Sequence, residues 1–369
     1  MTGGDAGTPG TEKVDVVVIG AGPAGSTAAW KAAEGGADVL LLEKRPIIGV
    51  PVRCGEFLPS KGEVASFFPD ALNLESLLDL PQDLVQRKID KIRVYSPKLR
   101  PYELPFDGST TDRDRFDQYL ALRAEKAGAR VEKGARVTSI RNNEVMLGDR
   151  HIQTKIIVGA DGPLSLVARS LGLERSWDLC PAMAAFSPGD FEPVAEMYFG
   201  SVSPGGYAWV IPKKGGANVG LGVSRLFTKT HLIDHYRSFI AFRHLDPGPA
   251  SGKMVPMSGP ISKTVSGNAL VVGDAAGQVM PVNGGGIPIA IICGAIAGEV
   301  SAGAAKGKRS LNDYESEWRR QVGKPLATAL RTKRLAMLAF GSPWRLEQAM
   351  RMLGIRRMGK AIRCKSVFP

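Results

Sequence analysis

The chain has 369 residues, 44% of them hydrophobic and 23% charged, which gives interior enough for two packed domains and a buried ligand and excludes a disordered or fibrous protein. Its formal charge of +12 is uneven: from Arg331 onward ten Lys or Arg face one acid, Glu347, so +9 sits in the last segment and +3 in the rest. The four cysteines, Cys54, Cys180, Cys293 and Cys364, have no CxxC spacing, which argues against a disulfide scaffold or a metal site and for a reducing, cytoplasmic compartment.

In chain order, residues 1–12 read as a Gly/Thr-rich disordered tail without the basic and apolar segments of a signal peptide. Val14–Ile19 is a β-branched run ending in glycines, Ala24–Gly35 has helical character, and Asp38–Glu43 is a second buried strand, which makes a βαβ unit. At its first turn, Gly20-Ala21-Gly22-Pro23-Ala24-Gly25 has the G-x-G-x-x-G spacing. Gly20 permits the tight turn, Gly22 lets the backbone approach a pyrophosphate, and Gly25 lets the helix pack against the strand. The helix N-terminus then offers unpaired N–H groups to phosphates. Glu43, at the end of the second strand, suits two ribose hydroxyls and repels a 2′-phosphate, so FAD or NAD is expected rather than NADP.

Arg113–Gly128 reads as a helix with Phe116, Leu120 and Leu122 facing inward, Ile156–Ala160 as a buried strand, and Asn268–Val272 as another, followed by Gly273-Asp274. A strand-end carboxylate so far from the first loop suits a ribityl hydroxyl of a long cofactor, which favours FAD over NAD. Ala275–Gly298 is uncharged, yet Pro281, Asn283, Gly284-Gly285-Gly286 and Pro288 interrupt it well short of the roughly 20 apolar residues of a membrane span. It reads as a loop feeding a buried helix from Ile287, whose N-terminus can stabilise negative charge on a reduced flavin ring. Leu58–Leu104 and Leu171–Lys263, rich in Pro and short β-like runs, read as a second domain inserted twice. The expected fold is therefore α/β. A Rossmann-like FAD-binding domain (13–57, 105–170 and 264–310) is interleaved with an antiparallel-sheet substrate domain (58–104 and 171–263), and a C-terminal basic helical region follows (311–369).

Together these elements resemble the para-hydroxybenzoate-hydroxylase-like flavoproteins over roughly Lys13–Ala304. Arg113-x-x-Phe116-Asp117-x-x-Leu120 is similar to that group's arginine-bearing helix near the FAD, and Gly159-Ala160-Asp161-Gly162-x-x-Ser165 to its Asp-Gly motif. Gly273-Asp274-Ala275-Ala276-Gly277 is similar to its ribityl-binding motif. Two further stretches resemble the geranylgeranyl reductase family. Pro51-Val52-Arg53-Cys54-Gly55-Glu56 is similar to its Pro-x-x-Cys-Gly-Glu segment beside the flavin. Tyr207-x-Trp209-x-Ile211-Pro212, followed after seven residues by Gly220-x-Gly222, is similar to its Tyr-x-Trp-x-Phe-Pro signature, with Ile211 where the family usually has Phe.

This resemblance implies an FAD-dependent reductase that saturates C=C bonds in the geranylgeranyl chains of archaeal-type isoprenoid membrane lipids, by hydride from reduced flavin plus a proton. It implies FAD contacts at Gly20, Gly22, Pro23, Ala24, Gly25, Glu43, Lys44, Arg45, Arg53, Cys54, Gly55, Arg113, Val137, Asp161, Gly273, Asp274, Gly285, Gly286 and Ile287. Cys54 is expected to donate or relay the proton, and Tyr207, Trp209, Gly220 and Gly222 to meet the substrate chain, with Phe186, Met197 and Phe199 as further apolar lining. From residue type alone Cys54 reads as a small buried hydrophobe and the Tyr207–Trp209 pair as core.

Two other activities stay open. Gly206–Pro212 differs by one residue from the Gly-Trp-x-Trp-x-Ile-Pro motif of flavin-dependent halogenases, although their lysine has only Lys61 as a candidate, outside any matching context. A flavin monooxygenase or halogenase is therefore one alternative, and an electron-transfer flavoprotein linking a soluble donor to quinone is another. Arg331–Lys365 interleaves its cations with Leu335, Met337, Leu338, Phe340, Trp344, Leu346, Met350, Met352, Leu353 and Ile355, the pattern of an amphipathic interfacial helix. An anionic membrane surface, reached from the cytoplasmic side, or an acidic electron donor such as a ferredoxin would suit it, and a solvated basic face is the plainer reading. No nucleic-acid module accompanies the charge, and no second Gly-rich βαβ unit offers a separate nicotinamide site.

Overall fold

Two sheets, one for each texture read along the chain, organise the computed structural model, which describes residues 12–141 and 143–367. The first elements are β1 (Glu12–Ile19), α1 (Pro23–Glu34) and β2 (Val39–Glu43). A first excursion carries β3 (Phe57–Pro59), α2 (Lys61–Phe67), α3 (Leu74–Leu77), β4 (Val85–Tyr95) and β5 (Pro101–Thr111). The chain returns through α4 (Arg113–Lys126), β6 (Arg130–Lys133), β7 (Ser139–Arg141), β8 (Glu144–Leu147), β9 (Arg150–Gly159) and α5 (Leu166–Ser170). A second excursion holds β10 (Leu179–Pro188), β11 (Val194–Tyr198), β12 (Tyr207–Lys213), β13 (Gly216–Gly222), α6 (Leu232–Phe242) and β14 (Ser251–Pro256). Last come β15 (Val265–Ser266), β16 (Ala269–Val271), α7 (Ile287–Ala305), α8 (Asp313–Trp318), α9 (Lys324–Phe340) and α10 (Pro343–Ile362).

The first sheet runs β15-β16-β9-β1-β2-β6, with the β7–β8 hairpin attached at β9. β1 pairs in parallel with both β2 and β9, and it reads as an almost unbroken apolar run because both faces of a parallel sheet are covered. The second sheet runs β14-β10-β13-β12-β11-β4-β5-β3 and is antiparallel except where β11 lies parallel to β4. That one parallel pair joins the two excursions into a single sheet.

α7 crosses α1 at backbone distance. A Cβ on Gly294 would stand 2.4 Å from the Ala24 carbonyl oxygen, and one on Gly298 2.3 Å from that of Ala28, so only glycine permits this approach. Among the described residues α7 is the one helix long and apolar enough to cross a membrane, and 83% of its apolar window is buried inside the fold. Its all-round apolarity serves a central position between layers.

Several expectations shift. Glu12 begins β1 and pairs with Ile152, while residues 1–11 of the expected tail lie outside the described residues. β5 carries the second sheet to Thr111, past the expected boundary at Leu104, because its buried-exposed alternation continues without a break through Phe106 and Gly108. In α4, Phe116 and Leu120 are buried as expected, but Leu122 is 43% exposed. Phe116, Leu120 and Ala124 recur every four residues on one face, and Leu122 falls about half a turn away from it. The basic segment forms α9 and α10 instead of one interfacial helix, and Gly354, at φ 63°, interrupts α10.

Candidate active site

The phosphate loop is held by its glycines and by one carboxylate. Gly20 has φ +102°, and a Cβ there would lie 2.5 Å from the Ala160 carbonyl oxygen; at Gly25 it would lie 1.8 Å from that of Gly20. Gly22 differs, because a Cβ there would meet nothing within 4 Å. It is the N-cap of α1, no side chain caps that end, and Pro23 opens the helix. Ala24 packs beneath Gly294 of α7. The buried Glu43 carboxylate accepts from the backbone N–H groups of Ala21 (2.9 Å) and Arg45 (3.0 Å), which ties the loop to the end of β2. Gly134 and Ala135 donate to the carbonyls of Arg45 and Glu43 and bring the Val137 segment alongside.

Arg45 and Arg53 approach each other without an ion pair of their own among the described residues. Burial and the Arg45 charge push the Arg53 guanidinium below its ordinary value. Lys44 is exposed. An open cradle at Gly22, an uncapped helix N-terminus and two unpaired arginines fit a pyrophosphate, and so fit FAD.

The residues expected at the far end of the cofactor lie on α4, before and at the start of α7, and beside β14. Asp274 follows Gly273 (φ +67°) and its carboxylate pairs with Lys253 at 2.6 Å. A Cβ on Gly286 would lie 3.5 Å from Asp274 Oδ1, so Gly285, Gly286 and Ile287 deliver the uncapped N-terminus of α7 beside that carboxylate. Arg113 is not free for a phosphate. Its guanidinium grips Asp117 through two bonds of 3.0 Å and also reaches the Cys54 sulfur, so its place is beside Cys54. Burial raises Asp117 above the ordinary carboxylate value, and Arg113 opposes that rise. Asp161 likewise uses its carboxylate locally, accepting from Ser165 Oγ and the Leu166 N–H at 2.6 Å to start α5. Only its backbone touches the loop, 3.2 Å from a Cβ on Gly20.

Cys54, Gly55, Tyr207, Trp209 and Gly222 line one cavity of about 230 Å³, together with Met197, Phe199, Met280 and Gly284–Ile287. The fold thus joins the Cys54 turn to β12 of the substrate sheet. Tyr207 and Trp209 alternate along β12, and their rings lie 5.8 Å apart. Tyr207 donates to the Asn283 carbonyl, and burial, with Cys54 close by, pushes its phenol well up. Gly220 does not line the cavity; a Cβ there would stand 2.5 Å from the Trp209 ring, so it makes room for the indole. Phe186 also departs from expectation, being 45% exposed on β10 with its ring over Gly216. Ile211 reaches Gly55, its Cδ1 3.2 Å from where a Cβ would sit, so the residue that departs from the family signature packs under the Cys54 turn.

Cys180 lines the same cavity, its thiol pushed up to about 12 by burial and by Asp178, whereas Cys293 and Cys364 are buried in the core. Lys61 pairs with Glu75 (3.2 Å) and Asp79 (3.0 Å) at the surface. Glu56, quoted in the Cys-Gly-Glu segment but given no role, and Lys253 line this cavity, and behind Glu56 stand Asp112, Lys213 and Asn218; these last three and Lys253 are absent from the sequence reading. Lys213 and Asn218 fall in the spacer between Pro212 and Gly220, and that position was the one signal available.

A family profile described as the geranylgeranyl reductase catalytic domain matches residues 184–259, and one described as FAD dependent oxidoreductase matches residues 15–52. The chain is 36% identical over 353 residues to the digeranylgeranylglycerophospholipid reductase of Methanocaldococcus jannaschii, covering 87% of this chain and 86% of that one. It is 37% identical over 363 residues to digeranylgeranylglycerophospholipid reductase 1 of Methanothermobacter thermautotrophicus, with the same coverage, 87% and 86%. Among solved structures, a geranylgeranyl bacteriochlorophyll reductase-like protein from Thermoplasma acidophilum superposes with a TM-score of 0.81 at 27% identity, over 95% of this chain and 92% of that one. A flavin-dependent brominase superposes with a TM-score of 0.71 at 18% identity, over 95% and 94%, which is a likeness of fold. The chain belongs to the geranylgeranyl reductase family of FAD-dependent oxidoreductases.

Proposed function

We propose that this chain is an FAD-dependent reductase that saturates C=C bonds in the geranylgeranyl chains of archaeal-type glycerophospholipids. The observation that carries the reading is the shared cavity, in which Cys54 stands among Tyr207, Trp209, Met197 and Phe199 beside the N-terminus of α7. Gly20–Gly25, Glu43, Arg45 and Arg53 hold the dinucleotide end of FAD, and Asp274 with Gly285–Ile287 its flavin end. Reduced FAD, when bound, supplies hydride to one alkene carbon. The Cys54 thiol supplies the proton to the other carbon. Its sulfur faces the Glu56 N–H at 3.2 Å and the Arg113 guanidinium, which meet the negative charge left behind. The apolar walls orient the chain and exclude water, which protects the hydride for the alkene.

The C-terminal helices supply the face through which a lipid arrives. Leu335, Leu338, Trp344, Met352 and Ile355 are exposed there. Around them Arg331, Arg334, Arg345, Arg351, Arg356 and Arg357 make no ion pairs among the described residues, while Met337 and Phe340 of α9 line the cavity. An anionic bilayer matches that combination, each cation contributing on the order of 1 kcal/mol. The reading places the enzyme peripherally on the cytoplasmic leaflet. An acidic electron carrier such as a ferredoxin would meet the same cations.

The test is chemically reduced protein mixed anaerobically with a digeranylgeranylglycerophospholipid. The expected result is lipid heavier by H₂ for each double bond; unchanged lipid, or halide incorporated on admitting oxygen, overturns the reading. Sedimentation with anionic but not neutral vesicles, reversed by salt, tests the docking face, and loss of binding on adding reduced ferredoxin shows whether the donor shares it.

A further inference from the structure

Behind the Cys54 turn lies a buried polar chain with no counterpart in the proposed chemistry. Lys213, at the end of β12, donates to Glu56 Oε2 at 2.7 Å and pairs with Asp112 Oδ1 at 2.7 Å. Asn218, on β13, donates from Nδ2 to the Cys54 carbonyl (2.8 Å) and to Glu56 Oε2 (3.0 Å). Its Oδ1 accepts the Trp209 indole N–H at 2.8 Å. The other Glu56 oxygen accepts the Arg113 backbone N–H at 3.0 Å, at the first residue of α4. Glu56, Lys213 and Asn218 are all under 10% exposed.

The local backbone shows why such a chain is needed. Glu56 sits at φ 61°, a left-handed conformation that a non-glycine residue keeps only where its surroundings impose it. A carboxylate removed from water persists only if several donors satisfy it, and here there are three: Lys213, Asn218 and the Arg113 N–H. Burial alone would lower Lys213, but Glu56 and Asp112 outweigh it and hold the ammonium charged. The same hydrogen bonds then fix two cavity walls together. Asn218 grips the Cys54 carbonyl with one end and the Trp209 indole with the other, so turn and strand share one register.

We propose that Lys213 and Asn218 are positioning residues: through Glu56 and the Cys54 carbonyl they hold the Cys54-Gly55-Glu56 turn and the Trp209 ring in a single geometry at the flavin edge. Neither touches the reacting atoms. Only the kinetic arm of the test rests on the proposed lipid reduction.

Two variants decide it, each loaded with FAD. Asn218→Ala removes the clamp and leaves the Lys213 ion pairs, whereas Glu56→Gln with Lys213→Met removes the two buried charges together and leaves only Asp112, 31% exposed, to be met by water. The readouts are the rate of Cys54 alkylation by iodoacetamide, followed by peptide mass, and the kcat and KM for geranylgeranyl lipid. The expected result is a change in alkylation rate of about threefold or more and a fall in kcat of about tenfold or more, with KM within about twofold and FAD retained. Native alkylation rates and native kcat in Asn218→Ala overturn the proposal, and this variant decides alone if the double variant does not fold. Alkylation needs no substrate, so a wild-type protein inactive on the lipid would sink the proposed function and leave this inference still to be judged.

Discussion

The Tyr207 hydroxyl donates to the Asn283 carbonyl oxygen across 2.5 Å, and that single bond ties the substrate sheet to the glycine turn that feeds α7. Tyr207 belongs to β12 of the second sheet and Asn283 to the turn before α7, so the contact sets how the aromatic wall of the cavity meets the N-terminus of α7. Tyr207→Phe keeps the ring and removes the donor. Stability to denaturant is expected to fall by about 1 kcal/mol, FAD to remain bound, and lipid turnover to slow. Native turnover would show that the ring alone shapes the wall.

Glycines in the cofactor domain separate into two kinds, and substitution distinguishes them. Gly294→Ala drives a Cβ into the backbone of α1, so unfolding free energy is expected to drop by about 1–3 kcal/mol whether or not FAD is present. Gly22→Ala meets nothing in the protein itself and has φ −74°, which alanine adopts freely. Its apoprotein is expected to keep native stability within about 0.5 kcal/mol while FAD affinity falls, because the added methyl occupies the cradle. Apoprotein denaturation curves and flavin titration check both.

These contrasts explain what could be read from the sequence. The phosphate loop and Glu43 lie within one βαβ unit, where a strand, a turn and a helix in about 30 residues fix the geometry locally. Lys213 and Asn218 meet Glu56 across 157 and 162 residues, and no spacing along the chain encodes a meeting made when the β3 edge of the second sheet comes against β12 and β13 of the same sheet. The basic segment shows the same limit from another side. Its charge was legible, but Met337 faces the cavity while Leu338, its neighbour, is 73% exposed, and only the docking of α9 decides which. Likewise, the motifs single out Arg113 and Asp161, yet Asp117 and the start of α5 take up their side chains.

Glu43 supports the loop before it meets any ribose. Its carboxylate holds two backbone N–H groups, and hydrogen bonds to an ionised group are worth roughly 1.5–3 kcal/mol each. Glu43→Gln replaces one acceptor oxygen by a donor that faces an N–H. FAD dissociation is expected to rise by about tenfold to a hundredfold, read by fluorescence as the flavin is released.

The junction of α8 with the cofactor domain should weaken in acid. Glu315 accepts from the Thr264 N–H at 2.9 Å and from its hydroxyl. Burial raises this carboxyl, but the Thr264 bonds and Arg319 outweigh it and set it below its ordinary 4.5. A folded value below the unfolded one means that Glu315 stabilises the protein fully above about pH 4.5 and that this contribution fades as pH falls through the lower, folded value. Glu315→Gln is expected to lower Tm at pH 6 and to leave it nearly equal to the wild type in strong acid; an identical shift at both pH values would contradict this.

Cys54 carries the chemical claim, and its substitutions separate a proton donor from a packing residue. The side chain is only partly buried and lines the cavity, so Cys54→Ala removes a thiol without opening a core void. If the thiol delivers the proton, steady-state alkene reduction falls by about 10²–10⁴-fold while FAD binding and its chemical reduction are unchanged. Cys54→Ser restores a hydroxyl of similar size and is expected to recover only part of the rate, because an alcohol gives up its proton far less readily than a thiol. Single-turnover measurement of lipid reduction after flavin pre-reduction isolates this step from electron delivery. A Cys54→Ala enzyme that turned over at the native rate would move the proton source elsewhere in the cavity, and the Tyr207 hydroxyl, close to the same sulfur, would be the next group to remove.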